Sequence, residues 1–369
     1  MELDNNSEKN WEILGGYRDE IDSIDDQITS LLSDRQEIAA KVGRLKEGLG
    51  IEVLDTSREE DVLKRLVSKS RGNLTKEVIR HIFTEIISAA RSVQRPYSVA
   101  FLGPDGTFCH QAALHLFGHS TLFHGSETME GVFDLIEKDV CQQGVVPVEN
   151  SYEGSVNSTL DLLYKYELKI ASETFLRIRH HLLSREDSIE KIKGLYSHPM
   201  AIAQCRSWIK EHLPQLPVKE LESTSVAARM AAHEPGAAAV GSRMSALNYG
   251  LNIVEENIED NPHNVTRFLG IGKNNAAPTG TDKTSILFLL NHRPGALHKA
   301  LAPLARRDIN MSRIESRPMK MKNWEYLFFV DLEGHEEDDN VHGALKEIEG
   351  YCSFMKRLGS YPAGGDPWD

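Results

Sequence analysis

A long helical pattern at the start of the chain carries charges along the stripe that a helix normally buries. From Leu14 to Lys46 the spacing alternates between four and three residues, which is the repeat of a packed helix seam. The stripe consists of Leu14, Arg18, Ile21, Asp25, Ile28, Leu32, Arg35, Ala39, Val42 and Lys46. Because a charge at a buried position costs free energy unless it meets a partner, the inward-facing cations predict a bound anion.

The charge balance and the length of this helix suggest what lies against it. The formal net charge is -13 with no long basic block, which disfavours nucleic acid and membrane surfaces as partners and favours a small anionic ligand. The pattern from about Trp11 to Gly48 would form a rod of roughly 55 Å, too long for its own small domain to cover. We therefore expect a homodimer or a larger homo-oligomer. Arg35 and Lys46 share one helix face, whereas Arg18 would reach the same pocket from an antiparallel second copy.

Two shorter helical patterns follow. The segment 55–60 predicts a second helix, with Thr56 and Glu59 or Ser57 and Glu60 forming a capping box. A third helix is predicted from about Thr75 to Gln94, and residues 1–96 therefore form an all-α three-helix domain. A simpler interpretation remains open, in which the charges are solvated residues beside a coiled-coil seam.

The pattern changes after this helical domain. Strands, turns and helices alternate over residues 97–274, which predicts an α/β domain. A linker rich in Gly and Asn follows at 272–283. The order strand, helix, strand, strand, helix, strand over 283–362 suits a ferredoxin-like α+β module.

Three polar clusters follow strand-like segments of the α/β domain, at 149–155, 197–205 and 264–268. Ligands bind in loops after strands in such sheets, although ordinary turn chemistry would use the same residue types.

Seven residues of the first domain resemble the all-helical class of chorismate mutases, over about residues 11–95. They are Arg18, Arg35, Lys46, Asp55, Arg58, Glu59 and Gln94. The resemblance implies an intertwined dimer in which Arg18 enters the partner's site, and a reaction that rearranges chorismate to prephenate. One position departs from the family, because Ala90 stands where a small hydroxyl residue is common.

The resemblance also implies a role for each of these residues. The guanidinium groups, which match carboxylates in shape, would hold the two carboxylates of chorismate. Lys46 and Gln94 would donate hydrogen bonds to the breaking ether oxygen. Glu59 would bind the ring hydroxyl, with Asp55 in support.

The second domain resembles prephenate dehydratases from about Val99 to Gly272. The matching motifs are GPDGTF (103–108), PVENSYEGS (147–155), SHP (197–199) and NVTRF (264–268). The resemblance implies two α/β lobes like those of periplasmic solute-binding proteins, with a site in the cleft that makes phenylpyruvate. It further implies Thr266 as hydrogen-bond donor, Asn150, Ser197 and Gln204 as substrate-orienting residues, and Arg267 as a carboxylate ligand. Cys109 stands where Ser is common, which leaves its role open.

The last module resembles the ACT regulatory domain of phenylalanine-sensitive dehydratases over about residues 284–360. Its two motifs are RPGAL (293–297) and ESRP (315–318). The resemblance implies that L-phenylalanine binds between paired modules and acts as an allosteric inhibitor. The implied ligand-binding residues are Gly295, Ala296, Leu297, Glu315, Ser316, Arg317 and Pro318.

Together these resemblances predict a bifunctional enzyme that needs no metal or organic cofactor. Two alternatives remain, namely an arogenate dehydratase activity in the middle domain and a non-catalytic metabolite sensor. A zinc site is a further alternative, because four histidines cluster in one segment, but an HExxH pattern is absent from it. They are His110, His115, His119 and His124. Scattered cysteines, a polar N-terminus and the absence of a run of ~20 apolar residues predict a cytoplasmic protein.

Overall fold

The computed structural model describes residues 2–291, 293–318 and 326–368. Its N-terminal segment consists of helices α1 (Glu2–Leu49), α2 (Thr56–Lys69) and α3 (Lys76–Gln94). The Asp55 side chain caps α2 by accepting a hydrogen bond from the Arg58 backbone nitrogen at 2.9 Å. The predicted capping box at Thr56 or Ser57 is therefore wrong, since the acidic residue one position earlier is the cap.

Only the last part of α1 packs within its own chain. Ala39 is buried and Gly43 lies against α3. The apolar members of the predicted stripe before Leu32 are exposed, as is Val42. The charged stripe is therefore half covered in a single protomer, and its apolar residues remain available for another chain.

The middle segment alternates strands and helices as predicted. Its strands are β1 (Ser98–Leu102), β2 (Leu122–Ser126), β3 (Gln143–Asn150), β4 (Gly154–Ser155), β5 (Lys169–Arg177), β6 (His181–Ser184), β7 (Gly194–Ser197), β8 (Val218–Glu220), β9 (Ala237–Gly241), β10 (Asn252–Glu255) and β11 (Val265–Gly272). Its helices are α4 (Phe108–Phe117), α5 (Met129–Glu137), α6 (Asn157–Lys165), α7 (Pro199–Gln204), α8 (Arg206–His212), α9 (Thr224–Ala231) and α10 (Arg243–Tyr249).

These strands form two separate sheets, each the centre of one lobe. The first has the order β2-β1-β3-β11-β5, with β4 paired to β3, and the second has the order β10-β6-β9-β7-β8. The chain leaves the first lobe after β5 and returns through β11, so that two connections join the lobes. The register of β11 on β3 places Thr266 opposite Asn150, which brings two of the sequence motifs together.

The C-terminal segment has the element order that the sequence predicted. It contains β12 (Asp282–Leu290), α11 (Ala296–Arg306), β13 (Met311–Pro318), β14 (Tyr326–Glu333), α12 (Asp339–Glu349) and β15 (Cys352–Pro362). Its four strands form an antiparallel sheet in the order β13-β14-β12-β15.

This C-terminal segment packs directly on the first lobe. Apolar residues of both belong to one buried core, including Ile170 of β5 and Leu289 of β12. Gly359 has a φ of +138°, and a Cβ atom there would lie 2.4 Å from the Ile170 carbonyl oxygen. Glycine is therefore required where β15 crosses β5.

Candidate functional site

Helices α1, α2 and α3 bring several predicted mutase residues together around Glu59. Arg35 of α1 is half-buried and donates to the Ile86 carbonyl of α3 at 3.3 Å. Lys46 donates to the carbonyl oxygens of Glu52 and Val53 at 3.1 and 2.9 Å. These contacts direct both cations toward α2 and α3, as the stripe predicted.

The electrostatic environment of Glu59 reflects this grouping. Burial raises the pKa of the Glu59 carboxyl, and Asp55 raises it further, whereas Arg91, Lys46 and Arg35 lower it. The net direction is upward. Burial likewise lowers the pKa of Arg35, although the Glu59 carboxylate opposes that shift. The cluster thus gathers three cations and two carboxyl groups in a partly enclosed site.

Gln94 lies directly against α1 because that helix carries a glycine opposite it. A Cβ atom on Gly43 would lie 2.8 Å from the Gln94 Cα and Cβ atoms, so a larger residue would push α3 away. The Gln94 Nε2 donates to the Ala90 carbonyl at 3.2 Å, and its buried Oε1 has no hydrogen-bond partner within the described residues. Sequence reasoning missed Gly43, although a glycine inside a long helix is itself a signal.

The protomer does not bring Arg18 into this cluster. Arg18 is exposed on the N-terminal half of α1, and Arg58 is exposed at the start of α2. Asp55 is also solvent-exposed, although its side chain serves as the helix cap. A pocket that includes Arg18 would therefore have to be completed by a second chain.

The second cluster lies on the first lobe, where β3 and β11 are paired. The Asn150 Nδ2 donates to the Thr266 Oγ1 at 2.8 Å and to the Asn264 Oδ1 at 2.7 Å. The Asn150 Oδ1 accepts from the backbone nitrogens of Tyr152 and Glu153, which fixes the orientation of the amide. Because Thr266 Oγ1 is an acceptor in this arrangement, its own hydrogen can point to another acceptor.

Gln204 connects the second lobe to the first. Its Nε2 donates to the Glu153 Oε1 at 3.3 Å, and its Oε1 lies 2.9 Å from the Nε2 of the buried His180. Burial lowers the pKa of His180, which favours the neutral ring that Gln204 contacts. His180 was not among the residues predicted from the sequence.

The loop 103–108 also bridges the lobes. The Gly106 carbonyl accepts hydrogen bonds from the hydroxyls of Ser242 and Ser245, at 3.1 and 3.0 Å. Gly106 has a φ of +85°, and a Cβ atom there would lie 3.2 Å from the hydroxyl of Ser225 or Ser245. Glycine thus permits the close approach of the lobes at the cleft.

Two predicted residues of the middle domain have other surroundings, and so does Cys109, whose role the sequence left open. Ser197 is fully buried and its hydroxyl donates to the Val240 carbonyl at 2.8 Å, so it joins β7 to β9. Arg267 points away from Thr266 into buried ion pairs with Glu173 and Asp331, so the expected carboxylate-ligand role does not fit this geometry. Burial raises the pKa of the Cys109 thiol to about 12, which keeps it protonated near neutral pH.

The C-terminal domain contains a cavity of about 140 Å³ at the start of α11. Ala296 and Leu297 line it, together with Arg293 and the aromatic residues Tyr326 and Phe328. Gly295 adopts a φ of +75° immediately before α11, so its conformation sets the start of the helix beside this cavity. A cavity of about 150 Å³ can hold benzene, so this one is large enough for a phenyl ring.

The second ACT motif lies on the strand next to two residues that line this cavity, since Ser316 of β13 is paired with Phe328 of β14 and Pro318 with Tyr326. The Glu315 carboxylate accepts from the Ser155 hydroxyl at 2.9 Å, and Arg317 donates to the Asp161 carboxylate at 2.6 Å. Ser316 and Pro318 belong to the same strand, β13. The second motif therefore occupies the strand beside the cavity wall, while the side chains of Glu315 and Arg317 contact the first lobe.

The four histidines of the zinc alternative have separate partners. His110 stacks on Phe101, His115 stacks on Trp368, and His119 pairs with Glu85, while His124 is exposed on β2. Across residues 2–291, 293–318 and 326–368, no three His, Cys, Asp or Glu side chains form a group that could hold a metal ion.

Within the same ranges, no helix is both long and apolar enough to cross a bilayer.

Family models match the three segments in the order of the chain. "Chorismate mutase type II" matches residues 17–95, "Prephenate dehydratase" matches 99–276, and "ACT domain" matches 284–350. The protein is accordingly multidomain, with a helical mutase domain, a dehydratase domain and an ACT domain.

Similar proteins extend this match over nearly the whole chain. A bifunctional chorismate mutase/prephenate dehydratase of Aquifex aeolicus is 45% identical over 95% of this chain and 98% of that protein. The corresponding protein of Neisseria gonorrhoeae is 41% identical over 95% of this chain and 97% of that protein. The crystal structure of an Arthrobacter aurescens prephenate dehydratase in complex with L-Phe has a TM-score of 0.66 and 34% identity, covering 72% of this chain and 90% of that chain. The chain belongs to the family of bifunctional chorismate mutase/prephenate dehydratases.

Proposed function

We propose that this chain converts chorismate to prephenate in its helical domain and prephenate to phenylpyruvate in its two-lobed domain. One observation carries the proposal. The cluster around Glu59 lies in the segment that matches chorismate mutases, and the cluster of Asn150 and Thr266 lies in the segment that matches prephenate dehydratases. We assign the domains to residues 1–96, 97–274 and 283–362, and the linker and element order support these limits.

The mutase step needs a shaped cationic site rather than a nucleophile or a base. Chorismate is a dicarboxylate, and its rearrangement is a pericyclic reaction in which charge grows on the breaking ether oxygen. Arg35 and Arg58 would hold carboxylates, while Lys46 and Gln94 would donate to the ether oxygen. The Gln94 Nε2, which donates to the Ala90 carbonyl in the free chain, would turn to the ether oxygen when substrate arrives.

The mutase site would be completed by an intertwined dimer. Several large apolar residues of α1 are exposed in the protomer, among them Leu31 at 67% and Ile38 at 60% of their full accessibility. A second α1 running antiparallel would cover this surface and would deliver its Arg18 to the cluster around Glu59. Burial of that apolar surface supplies the driving force for association.

The dehydratase step needs a hydrogen-bond donor at the departing hydroxyl. The bond between the ring and its carboxylate breaks and releases carbon dioxide, and its electron pair completes the aromatic ring. The ring hydroxyl leaves with a proton as water. Thr266 would donate to that hydroxyl while Asn150 donates to Thr266 and Gln204 orients the substrate from the opposite lobe. Neither step requires a metal or an organic cofactor.

L-Phenylalanine would act as an allosteric inhibitor through the ACT domain, whose sheet and helices form a ferredoxin-like unit. The cavity beside Gly295, Ala296 and Leu297 supports this, because its aromatic wall suits a phenyl ring and Arg293 offers a cation to the carboxylate. Paired domains would bring Glu315, Ser316, Arg317 and Pro318 of one chain near the ligand of the other. We further propose a cytoplasmic location, which the four free thiols support.

The test is a coupled ultraviolet assay of the full chain. With chorismate as substrate we expect its absorbance to fall and phenylpyruvate to appear, and L-phenylalanine should slow only the second step. A competition between prephenate and arogenate decides the substrate of the middle domain. Binding of these acids without turnover would identify a metabolite sensor and would refute the proposal.

A further inference from the structure

Arg91 of α3 is a buried cation to which the proposed mutase mechanism assigns no role. Its side chain is 4% exposed, and its Nη1 lies 3.3 Å from the Glu59 Oε2. Its Nη2 donates to the carbonyl oxygen of Phe117, the last residue of α4 in the dehydratase domain. One guanidinium group therefore contacts a candidate mutase residue and the neighbouring domain at the same time.

The dehydratase domain holds Arg91 in three further ways. The end of a helix carries partial negative charge on its free carbonyl groups, which favours a cation there. The rings of Tyr97 and Phe117 lie with their centroids 5.6 and 5.8 Å from the Arg91 Cζ atom, within the range of cation–π attraction. A Cβ atom on Gly118 would lie 2.5 Å from the Ser88 Cβ, so α3 is pressed against the end of α4. Arg91 has little freedom to move away from Glu59.

The charges around Glu59 show what Arg91 contributes. Helix α1 supplies Arg35 and Lys46, the cap of α2 supplies Asp55, and α3 supplies Arg91. Burial and Asp55 disfavour the ionised carboxylate, and Arg91 is the strongest of the influences that favour it. Without Arg91 the carboxylate would be less able to accept a hydrogen bond from a substrate hydroxyl, because a larger fraction would be protonated.

We propose that Arg91 is a positioning residue for the mutase reaction, that it orients the Glu59 carboxylate through their direct contact, and that the dehydratase domain completes the mutase site by holding Arg91. This inference rests on the proposed mutase function. It makes the contact between the two domains part of the first active site, although no dehydratase residue need touch chorismate.

The decisive comparison uses Arg91→Met and Arg91→Lys in the full chain, with Arg80→Met as the matched control. Arg80 also joins α3 to α2, through two contacts with Glu60 at 3.1 and 2.7 Å, but it does not contact Glu59. We expect Arg91→Met to lower mutase kcat/KM by about tenfold or more, the loss of one charge-assisted hydrogen bond. The acid limb of the pH profile of mutase kcat/KM should also move to higher pH in this variant. Arg91→Lys should restore the position of that limb, and Arg80→Met should match the parent protein.

A second variant tests the role of the neighbouring domain. Gly118→Ala displaces the end of α4 from α3 without altering any mutase residue, and it should move the acid limb in the same direction as Arg91→Met. Turnover of added prephenate reports whether each variant is folded. An acid limb unchanged in Arg91→Met, or shifted equally in Arg80→Met, would overturn the inference while the mutase assignment stands.

Absence of mutase activity in the parent protein would instead overturn the proposed function.

The contact between Arg91 and Glu59 is tested separately, by thermal unfolding of Arg91→Met, Glu59→Gln and the double variant. Non-additive shifts of the unfolding temperature support the interaction, whereas additive shifts refute it.

Discussion

The Arg267 guanidinium and the Asp331 carboxylate form a buried ion pair between the dehydratase domain and the ACT domain, with 2.5 Å between Nη1 and Oδ2. The Arg267 Nε also lies 2.7 Å from the Glu173 Oε2, and its Nη2 donates to the Tyr361 hydroxyl at 2.9 Å. Successive side chains of a strand point to opposite faces, so Thr266 faces the cleft side while Arg267 faces the ACT domain. The strand that carries the candidate hydrogen-bond donor is thus anchored in the regulatory domain.

Removal of this cation should strongly destabilise the joined domains. Arg267→Met leaves the carboxylates of Glu173 and Asp331 buried with one partner fewer, which typically costs about 3–5 kcal/mol. We expect a clear drop in the unfolding temperature, measured by calorimetry. Arg306→Met is the control, since its pair with Glu347 is exposed and should contribute far less. Equal shifts in the two variants would contradict this prediction.

The same pair predicts a loss of stability in acid. Burial alone would raise the pKa of Asp331, but Arg267 and the Ser285 hydroxyl lower it, and the net pKa lies below the ordinary value. A carboxyl group whose pKa is lower in the folded state than in the unfolded state stabilises the fold. This stabilisation is fully present above the ordinary carboxyl pKa of about 3.9, and it is lost as the pH falls through the pKa of the folded state. The unfolding temperature should therefore decrease when the pH is lowered below about 4. In Asp331→Asn the unfolding temperature should depend less on pH in this range. Asp308→Asn, at an exposed position, should leave this dependence unchanged.

The sequence predicted residue types and element order better than side-chain directions. Asn150 and Thr266 were both predicted as site residues from separate motifs, and the register of β3 on β11 pairs them. Ser197 and Arg267 also belong to the matched motifs, but their side chains turn into the core, because a motif does not specify which face a residue occupies. Arg91 could have been found, since it follows Ile87 by four residues and places a charge on the apolar face of α3.

The association of two chains stays a prediction, and the sequence supports it only in outline. A charged and apolar stripe on α1 indicated a partner, and the apolar part of it is exposed in the protomer. In the proposed dimer the position of Arg18 would depend on the second chain, because α1 extends beyond the helices that it packs against. Local sequence patterns cannot supply that geometry.

Thr266→Ala should abolish most dehydratase turnover. The change removes the proposed donor to the leaving hydroxyl and takes one acceptor from the Asn150 amide. General-acid contributions of this kind are typically 10²–10⁴-fold, so we expect kcat on prephenate to fall by about 10²-fold or more. Thr266→Ser is the control, because it retains the hydroxyl and should keep much of the rate. Mutase turnover by the same preparations should be unchanged, and dehydratase turnover retained in Thr266→Ala would remove Thr266 from the mechanism.

Arg35→Ala should produce the reverse pattern. This cation lies in the cluster around Glu59 and would bind a substrate carboxylate, so its loss should lower mutase kcat/KM by about 10³-fold. Turnover of added prephenate should stay near the parent value because the dehydratase cleft is in another domain. Arg44→Ala, at an exposed position of α1, should leave both rates unchanged. A correctly folded Arg35→Ala variant with near-normal mutase activity would refute the assignment.

Arg313 should carry part of the phenylalanine response. The Arg313 Nε lies 3.1 Å from the Glu149 Oε2, and its Nη2 donates to the Ser155 hydroxyl at 2.7 Å. Both partners flank Asn150 in the PVENSYEGS motif, so a shift of β13 in the ACT domain would be transmitted to the residue that holds Thr266. Allosteric coupling is typically worth 1–3 kcal/mol, which is about 5–150-fold in affinity.

We expect Arg313→Met to weaken inhibition by L-phenylalanine severalfold while binding of L-phenylalanine to the ACT domain persists. Calorimetric titration measures the binding, and prephenate turnover with increasing L-phenylalanine measures the response. Arg357→Met is the control, because Arg357 belongs to β15 of the same domain and pairs with Glu336 instead of the cleft loop. If Arg313→Met loses binding and inhibition together, the residue supports the ligand site; if both are unchanged, the signal reaches the cleft through other contacts, of which the Arg267–Asp331 pair is the nearest to Thr266.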